Sequence, residues 1–198
     1  MRQRYGEPDE TALSGLPGTE TPLILAVGRL VGRKGFRTLL RAMPTVLSTH
    51  PRAHLVIVGR GHMRGTLLRQ AKRLGVAANV SIESGMPFTD LAQLFRSADL
   101  VAYPSYYEGQ GLIPLEAMAS GTPCVTVDDG PLPEMVDETV GALFELGSPS
   151  SLASAINDLL GDPEKLAELT AAGRERVLES YTYGRNADRY AGFYGADD

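Results

Sequence analysis

From Pro22 onward the chain alternates short apolar runs with longer segments of helical period, and that alternation constrains the fold more than any other feature of it. The runs "LILAVG", "HLVIVG", "NVSIES", "LVAYPS" and "CVTVDD" read as strands. The segments that follow them, Phe36 to Ser48, Met63 to Leu74, Asp90 to Ser97, Leu112 to Ser120 and Leu132 to Asp137, read as helices. Repeated strand–helix units specify a parallel sheet. Near-continuous Val, Ile and Leu in the strands implies burial on both faces. The expected fold is therefore α/β, a doubly wound, Rossmann-like parallel sheet with helices on both faces. Gly75 and Gly121, just past the second and fourth helices, read as their caps. Ser150 to Leu160 and Pro163 to Tyr181 read as two surface helices broken at "GDP". Residues 1–21 are polar and aperiodic and read as a linker or truncated end, residues 22–181 as the domain, and residues 182–198 as a C-terminal helix and tail.

With 198 residues and 43% hydrophobic content the chain can bury one good core. The net charge of −5 gives no basic surplus, so no nucleic-acid partner is expected. The single cysteine, Cys124, excludes an internal disulfide and fits a reducing compartment. The apolar runs fall far short of the roughly 20 residues of a membrane span, and the N-terminus has no signal-peptide pattern. A cytoplasmic location is expected, and work beside a membrane is compatible with it.

Open α/β sheets bind ligands at the carboxyl ends of their strands. The loop after the first strand, "GRLVGRKGF", places Arg29, Arg33 and Lys34 between Gly28 and Gly35. Arg29 offers a planar fork for two phosphate oxygens and Lys34 a movable point charge. The alternative is that these cations only keep a loop solvated. The loop after the fourth strand sets Glu108, Gly109 and Gly111 ahead of the helix that opens at Leu112 and carries Glu116 one turn in. Glycine lets a ligand approach the backbone, a helix N-terminus favours an anion, and carboxylates accept hydrogen bonds from sugar or ribose hydroxyls. Here too a solvated loop and a solvated helix face remain the alternative. "VIVGRGHMRG" imitates a dinucleotide turn, with Glu83 at the spacing of a ribose-binding acid, but Arg64 fills the third glycine position and a nicotinamide or flavin site is not expected. His50, His54 and His62 lack metal-ligand spacing, so no metal is expected.

Taken in order, "VGRLVGRKGF", "LVIVGRG", "ADLVAYPSYYEGQGLIPLEAMASGTPCV" and "GPLPEMV" resemble the C-terminal, donor-binding half of GT-B glycosyltransferases of the family 4 (group 1) type. The resemblance runs from about Pro22 to Tyr194, and its most specific part is the pair Glu108 and Glu116, with seven residues between them, joined with Arg29 and Lys34. It implies transfer of a sugar from a nucleoside-diphosphate sugar with retained configuration and without metal or other cofactor. Arg29 and Lys34 would hold the diphosphate, Glu108 the donor sugar and Glu116 the ribose, which makes Glu108, Arg29 and Lys34 the catalytic set. Backbone at Gly28, Gly109, Gly111 and Leu112 would line the phosphates and sugar, and the stretch Ile82, Glu83 and Gly85 the base. Gln110 departs from the aromatic usual in the family, and Pro131 from a common glycine. The resemblance also implies an N-terminal, acceptor-binding domain that this chain lacks, and any peripheral membrane contact is expected of that other half. By itself the chain is expected to bind donor without transferring sugar. A nucleotide-sugar-binding module without transfer activity, and a relative such as a nucleotide-sugar epimerase, are the competing classes.

Overall fold

The computed structural model describes residues 21–194. Six parallel strands form one sheet: β1 (Leu23–Val27), β2 (His54–Val58), β3 (Val80–Glu83), β4 (Leu100–Tyr103), β5 (Cys124–Val127) and β6 (Gly141–Phe144). Their order is β3-β2-β1-β4-β5-β6. The order reverses between β1 and β4, the place where open α/β sheets take ligands, in the crevice outside the strands' carboxyl ends. All five residues of β1 and all four of β4 and β5 are buried, as the unbroken apolar runs require.

Helices α1 (Phe36–Thr49) and α2 (Arg64–Arg73) pack side by side, and α5 (Pro149–Leu160) packs on α1. Helices α3 (Phe88–Ser97), α4 (Leu112–Ala119) and α6 (Pro163–Ser180) form the other layer, and α7 (Tyr183–Tyr194) follows α6. The apolar spacing of α1 explains its seat: Phe36, Leu39, Leu40, Met43 and Val46 fall on one stripe and are all buried. Asp162 caps α6 by accepting from the Lys165 amide at 2.9 Å, so the "GDP" break is also a helix start.

Two expectations need correction. Leu132 to Asp137 forms only a 3-10 turn, Leu132–Glu134, and the chain turns away at Asp137, whose carboxylate accepts from the Thr139 amide at 3.0 Å. The segment Gly141–Phe144 is a sixth strand paired to β5, where no strand was expected. A Cβ on Gly141 would lie 2.3 Å from the Cys124 carbonyl oxygen, so glycine is what lets the two strands meet. Helix α5 lies at the surface as its sequence reads, with Leu152, Ala153, Ile156 and Leu159 on its buried stripe and Ser150, Ser154 and Asp158 exposed. The tail from residue 195 and the segment 1–20 lie outside the described residues.

Candidate active site

The site grows from the two loops that flank the crevice between β1 and β4. After β1 the chain makes a 3-10 turn, Gly32–Lys34, and reverses at Gly35 with φ 68°. A Cβ on Gly35 would lie 1.7 Å from the Pro104 carbonyl oxygen, so the loop backs directly onto the segment leaving β4. Backbone bonds lock the contact: the Tyr106 amide donates to the Arg33 carbonyl at 2.7 Å, and the Arg33 guanidinium donates to the Tyr107 carbonyl at 3.0 Å. The Thr38 and Tyr106 hydroxyls meet at 2.5 Å.

This docking delivers Lys34, only 9% exposed, to the end of β4. Its ammonium donates to the Tyr103 hydroxyl at 2.9 Å and forms an ion pair with the Glu108 carboxylate. The Ser105 hydroxyl reaches both Glu108 and the Arg33 carbonyl, 3.2 Å away. One hydroxyl hydrogen serves one acceptor, and the charged carboxylate is the stronger claimant. Burial alone would raise the Glu108 carboxyl, but donors on Lys34, Ser105 and Tyr103 outweigh it and hold the group below the ordinary carboxylate range. Burial, and then the adjacent Glu108 charge, push the Tyr103 phenol well up, so it remains a neutral donor. Lysine cation, neutral phenol and carboxylate thus form a satisfied cluster at the crevice floor.

Glu108 leads through exposed Gly109 and Gln110 to Gly111, which caps α4. No atom lies within 4 Å of where a Gly109 side chain would begin. The first amides of α4 have no intrahelical acceptor and point toward the loop. Leu112, the first residue of the helix, is 58% exposed. Glu116 sits one turn in and accepts no side-chain hydrogen bond among the described residues. Its side chain is exposed on the helix, and partial desolvation by the surrounding protein, with no donor to offset it, raises its carboxyl from the ordinary value. Arg29 is exposed directly after Gly28, in the loop that follows β1.

The β3 loop is two strands further out, roughly 10 Å from β1 at normal strand spacing. Ile82 is buried, and its carbonyl accepts from the Arg64 guanidinium at 3.2 Å. Glu83 is exposed, with its carbonyl bonded to the Gly59 amide at 2.9 Å. Gly85, also exposed, lies against Arg60, whose nitrogen would stand 2.8 Å from an added Cβ. The dinucleotide-like turn therefore has a local explanation. A Cβ at Gly59 would stand 1.9 Å from the Gly28 carbonyl oxygen, and Arg64 ties α2 to β3.

The structure thus joins Lys34 and Glu108 in contact, with Gly28, Arg29, Gly109, Gly111 and Leu112 on the two loops around them. It sets Ile82, Glu83 and Gly85 apart at the third strand. Sequence reasoning passed over Tyr103 and Ser105. The available signal was two hydroxyl side chains closing an otherwise apolar strand, three and five residues before Glu108. Among the described residues no group of three or more His, Cys, Asp or Glu side chains is placed to hold a metal ion, and no helix is long and apolar enough to cross a membrane.

Residues 12–176 match the family model for glycosyl transferases group 1. The chain is 34% identical over 199 residues to a GDP-mannose-dependent alpha-(1-6)-phosphatidylinositol monomannoside mannosyltransferase of Mycolicibacterium smegmatis, a match covering 96% of this chain and 49% of that protein. It superposes on sucrose-phosphate synthase from Thermosynechococcus elongatus with a TM-score of 0.82 and 29% identity, over 96% of this chain and 50% of that one. It has the fold of Anabaena HepE, solved with UDP and glucose, at a TM-score of 0.80 and 24% identity, over 89% of this chain and 48% of that one. The chain spans about half the length of the mannosyltransferase it matches. With most of its folded length covered by the family model, the chain belongs to the glycosyl transferases group 1 family.

Proposed function

We propose that this chain is the donor-binding half of a retaining glycosyltransferase and takes a nucleoside-diphosphate sugar across the carboxyl ends of β3, β1 and β4. The observation that carries the reading is the meeting of Lys34 with Glu108 beside the free amides of α4, at the point where strand order reverses. GDP-mannose, named for a relative, and UDP with glucose, bound in a structure of the same fold, support this ligand class.

The ligand would lie with its base at Ile82 to Gly85, its ribose at Glu116, its diphosphate between Arg29, Lys34 and the α4 N-terminus, and its sugar at Glu108. Lys34 is already paired, so donor binding exchanges the Glu108 carboxylate for phosphate oxygens and turns Glu108 toward the sugar hydroxyls. As the glycosidic bond breaks, negative charge grows on the departing diphosphate. Arg29, Lys34 and the helix dipole stabilise it where it develops. These groups do so without a metal ion, and a second domain supplies the acceptor.

Calorimetric titration with a nucleoside, its diphosphate and its diphosphate sugar tests this. Lys34→Ala should weaken the diphosphate by roughly tenfold or more and leave the nucleoside almost untouched, as loss of one charge-assisted hydrogen bond predicts. Binding should persist in chelator. Equal losses for nucleoside and diphosphate would make the loop structural and remove the assignment.

A further inference from the structure

Between residues 22 and 82 the chain has eleven lysines and arginines and no aspartate or glutamate. From residue 83 to 194 acids outnumber bases eighteen to six. The net charge of −5 conceals this division, and the fold turns it into two faces. Helices α1 and α2 lie side by side in one layer and contain no acid. Arg37, Arg41, Arg69, Lys72 and Arg73 are all exposed there, and none makes an ion pair among the described residues. They line two adjoining grooves of ≈ 620 and ≈ 280 Å³ that share Arg73. Two of these cations are held in place. Buried Gln70 accepts from the Arg37 Nε at 3.3 Å and donates to the Arg37 carbonyl at 2.8 Å, and Arg69 donates to the Thr66 hydroxyl at 3.2 Å.

We infer that the α1–α2 face docks on an anionic lipid surface through Arg37, Arg41, Arg69, Lys72 and Arg73. Clustered bases on an amphipathic helix are what a bilayer of negative surface potential attracts. Leu68, 39% exposed and one turn from both Arg64 and Lys72, supplies an apolar side chain among the cations. The geometry favours a plane over a nucleic-acid strand. A strand needs aromatic platforms for its bases, and the exposed aromatic side chains all lie off α1 and α2. A plane also meets only one pole of a two-faced molecule. The acids of α6 lie in the opposite layer, beyond the sheet. Helix α5, whose one exposed acid is Asp158, stands between α1 and α6, and exposed charges further apart than the Debye length of about 8 Å at physiological salt are largely screened from one another. The acidic pole therefore does not cancel the attraction. This inference is independent of the donor reading, because it uses no residue assigned to the crevice.

The test is flotation of the chain with vesicles of phosphatidylcholine alone or containing phosphatidylglycerol, at low and high salt. The chain should float with the anionic vesicles at low salt, stay behind with the neutral ones, and detach as salt is raised. Arg69→Gln/Lys72→Gln/Arg73→Gln, checked for an unchanged melting temperature, should lose partitioning at least tenfold. Arg185→Gln/Arg189→Gln on α7 should behave as the parent does. Equal binding to neutral vesicles, equal losses in both variants, or failure to float with anionic vesicles while a single-stranded polyribonucleotide is bound would each overturn the inference.

Discussion

Lys34 and Glu108, seventy-four residues apart in the chain, form an ion pair whose two side chains are each only 10% exposed. Both carry a site role, yet each is satisfied by the other before any ligand arrives. The pair therefore has a structural consequence that can be measured separately from binding. Lys34→Ala strands a carboxylate in a poorly solvated place, and such a broken pair costs on the order of 2 kcal/mol or more. The sign with pH follows from Glu108. Its carboxyl is held below the ordinary range, so its contribution is present above that range and is lost as pH falls through the depressed value. Urea denaturation should show a large gap between parent and Lys34→Ala at pH 7 that narrows toward pH 3, and a gap that stays constant would contradict the pairing.

Tyr103 positions that pair without belonging to the expected donor set. Tyr103→Phe removes the hydroxyl bonded to Lys34 and Glu108 and keeps the buried ring, so stability should fall by about 1 kcal/mol. Lys34 then loses one of its two holds. Diphosphate affinity should drop by roughly threefold to tenfold, on the scale of one net hydrogen bond, while nucleoside affinity stays level. Thermal melts and calorimetry on the one variant read both effects.

Two glycines of the site should respond oppositely. Gly35→Ala puts a Cβ against the Pro104 carbonyl oxygen at a left-handed φ, and the loops must part. Destabilisation above about 3 kcal/mol, or failure to fold, is expected. Gly109→Ala meets nothing within 4 Å. It should change stability by less than about 1 kcal/mol and yet weaken diphosphate binding, since a methyl group would stand where the ligand is to approach. If Gly109→Ala binds as the parent does, the phosphates do not run past this loop.

The sheet was legible because its signal is local. Buried parallel strands such as "LILAVG" and "HLVIVG" are continuous apolar runs, and α1 shows a clean stripe. The sixth strand was not legible, because "GALF" is half-buried and becomes a strand only by pairing with β5 across seventeen residues of register. Residues Arg29, Lys34, Glu108 and Glu116 could be read from loop position and motif. The contact of Lys34 with Glu108 could not, because it depends on Gly35 letting one loop rest on Pro104. The basic face was missed for another reason, namely that a net charge averages over the two poles the fold separates.

The last expectation separates the two glutamates through their opposite electrostatics. Glu108 is held ionised by donors, whereas Glu116, exposed on α4, gains no donor and partial desolvation by its neighbours raises its carboxyl. An acid with a raised native value opposes folding when ionised, and that penalty disappears as pH falls through the raised value. Glu116→Gln should therefore melt slightly higher than the parent at pH 7, with the difference vanishing toward pH 4. If Glu116 accepts ribose hydroxyls, the same variant should bind nucleoside diphosphate and nucleotide sugar more weakly by similar factors, roughly five- to a hundredfold for an acceptor lost from a buried hydrogen bond. Glu108→Gln should not weaken plain diphosphate, since Lys34 no longer has to leave a counter-charge, and it should remove the extra affinity for the sugar-bearing donor. It should also lower stability, because Lys34 loses its counter-charge. A gain in stability with a loss of ribose binding at Glu116, set against a loss of stability with a loss of sugar binding at Glu108, is a pattern two solvated surface carboxylates would not give. Identical losses for both ligands in Glu108→Gln would place the sugar elsewhere.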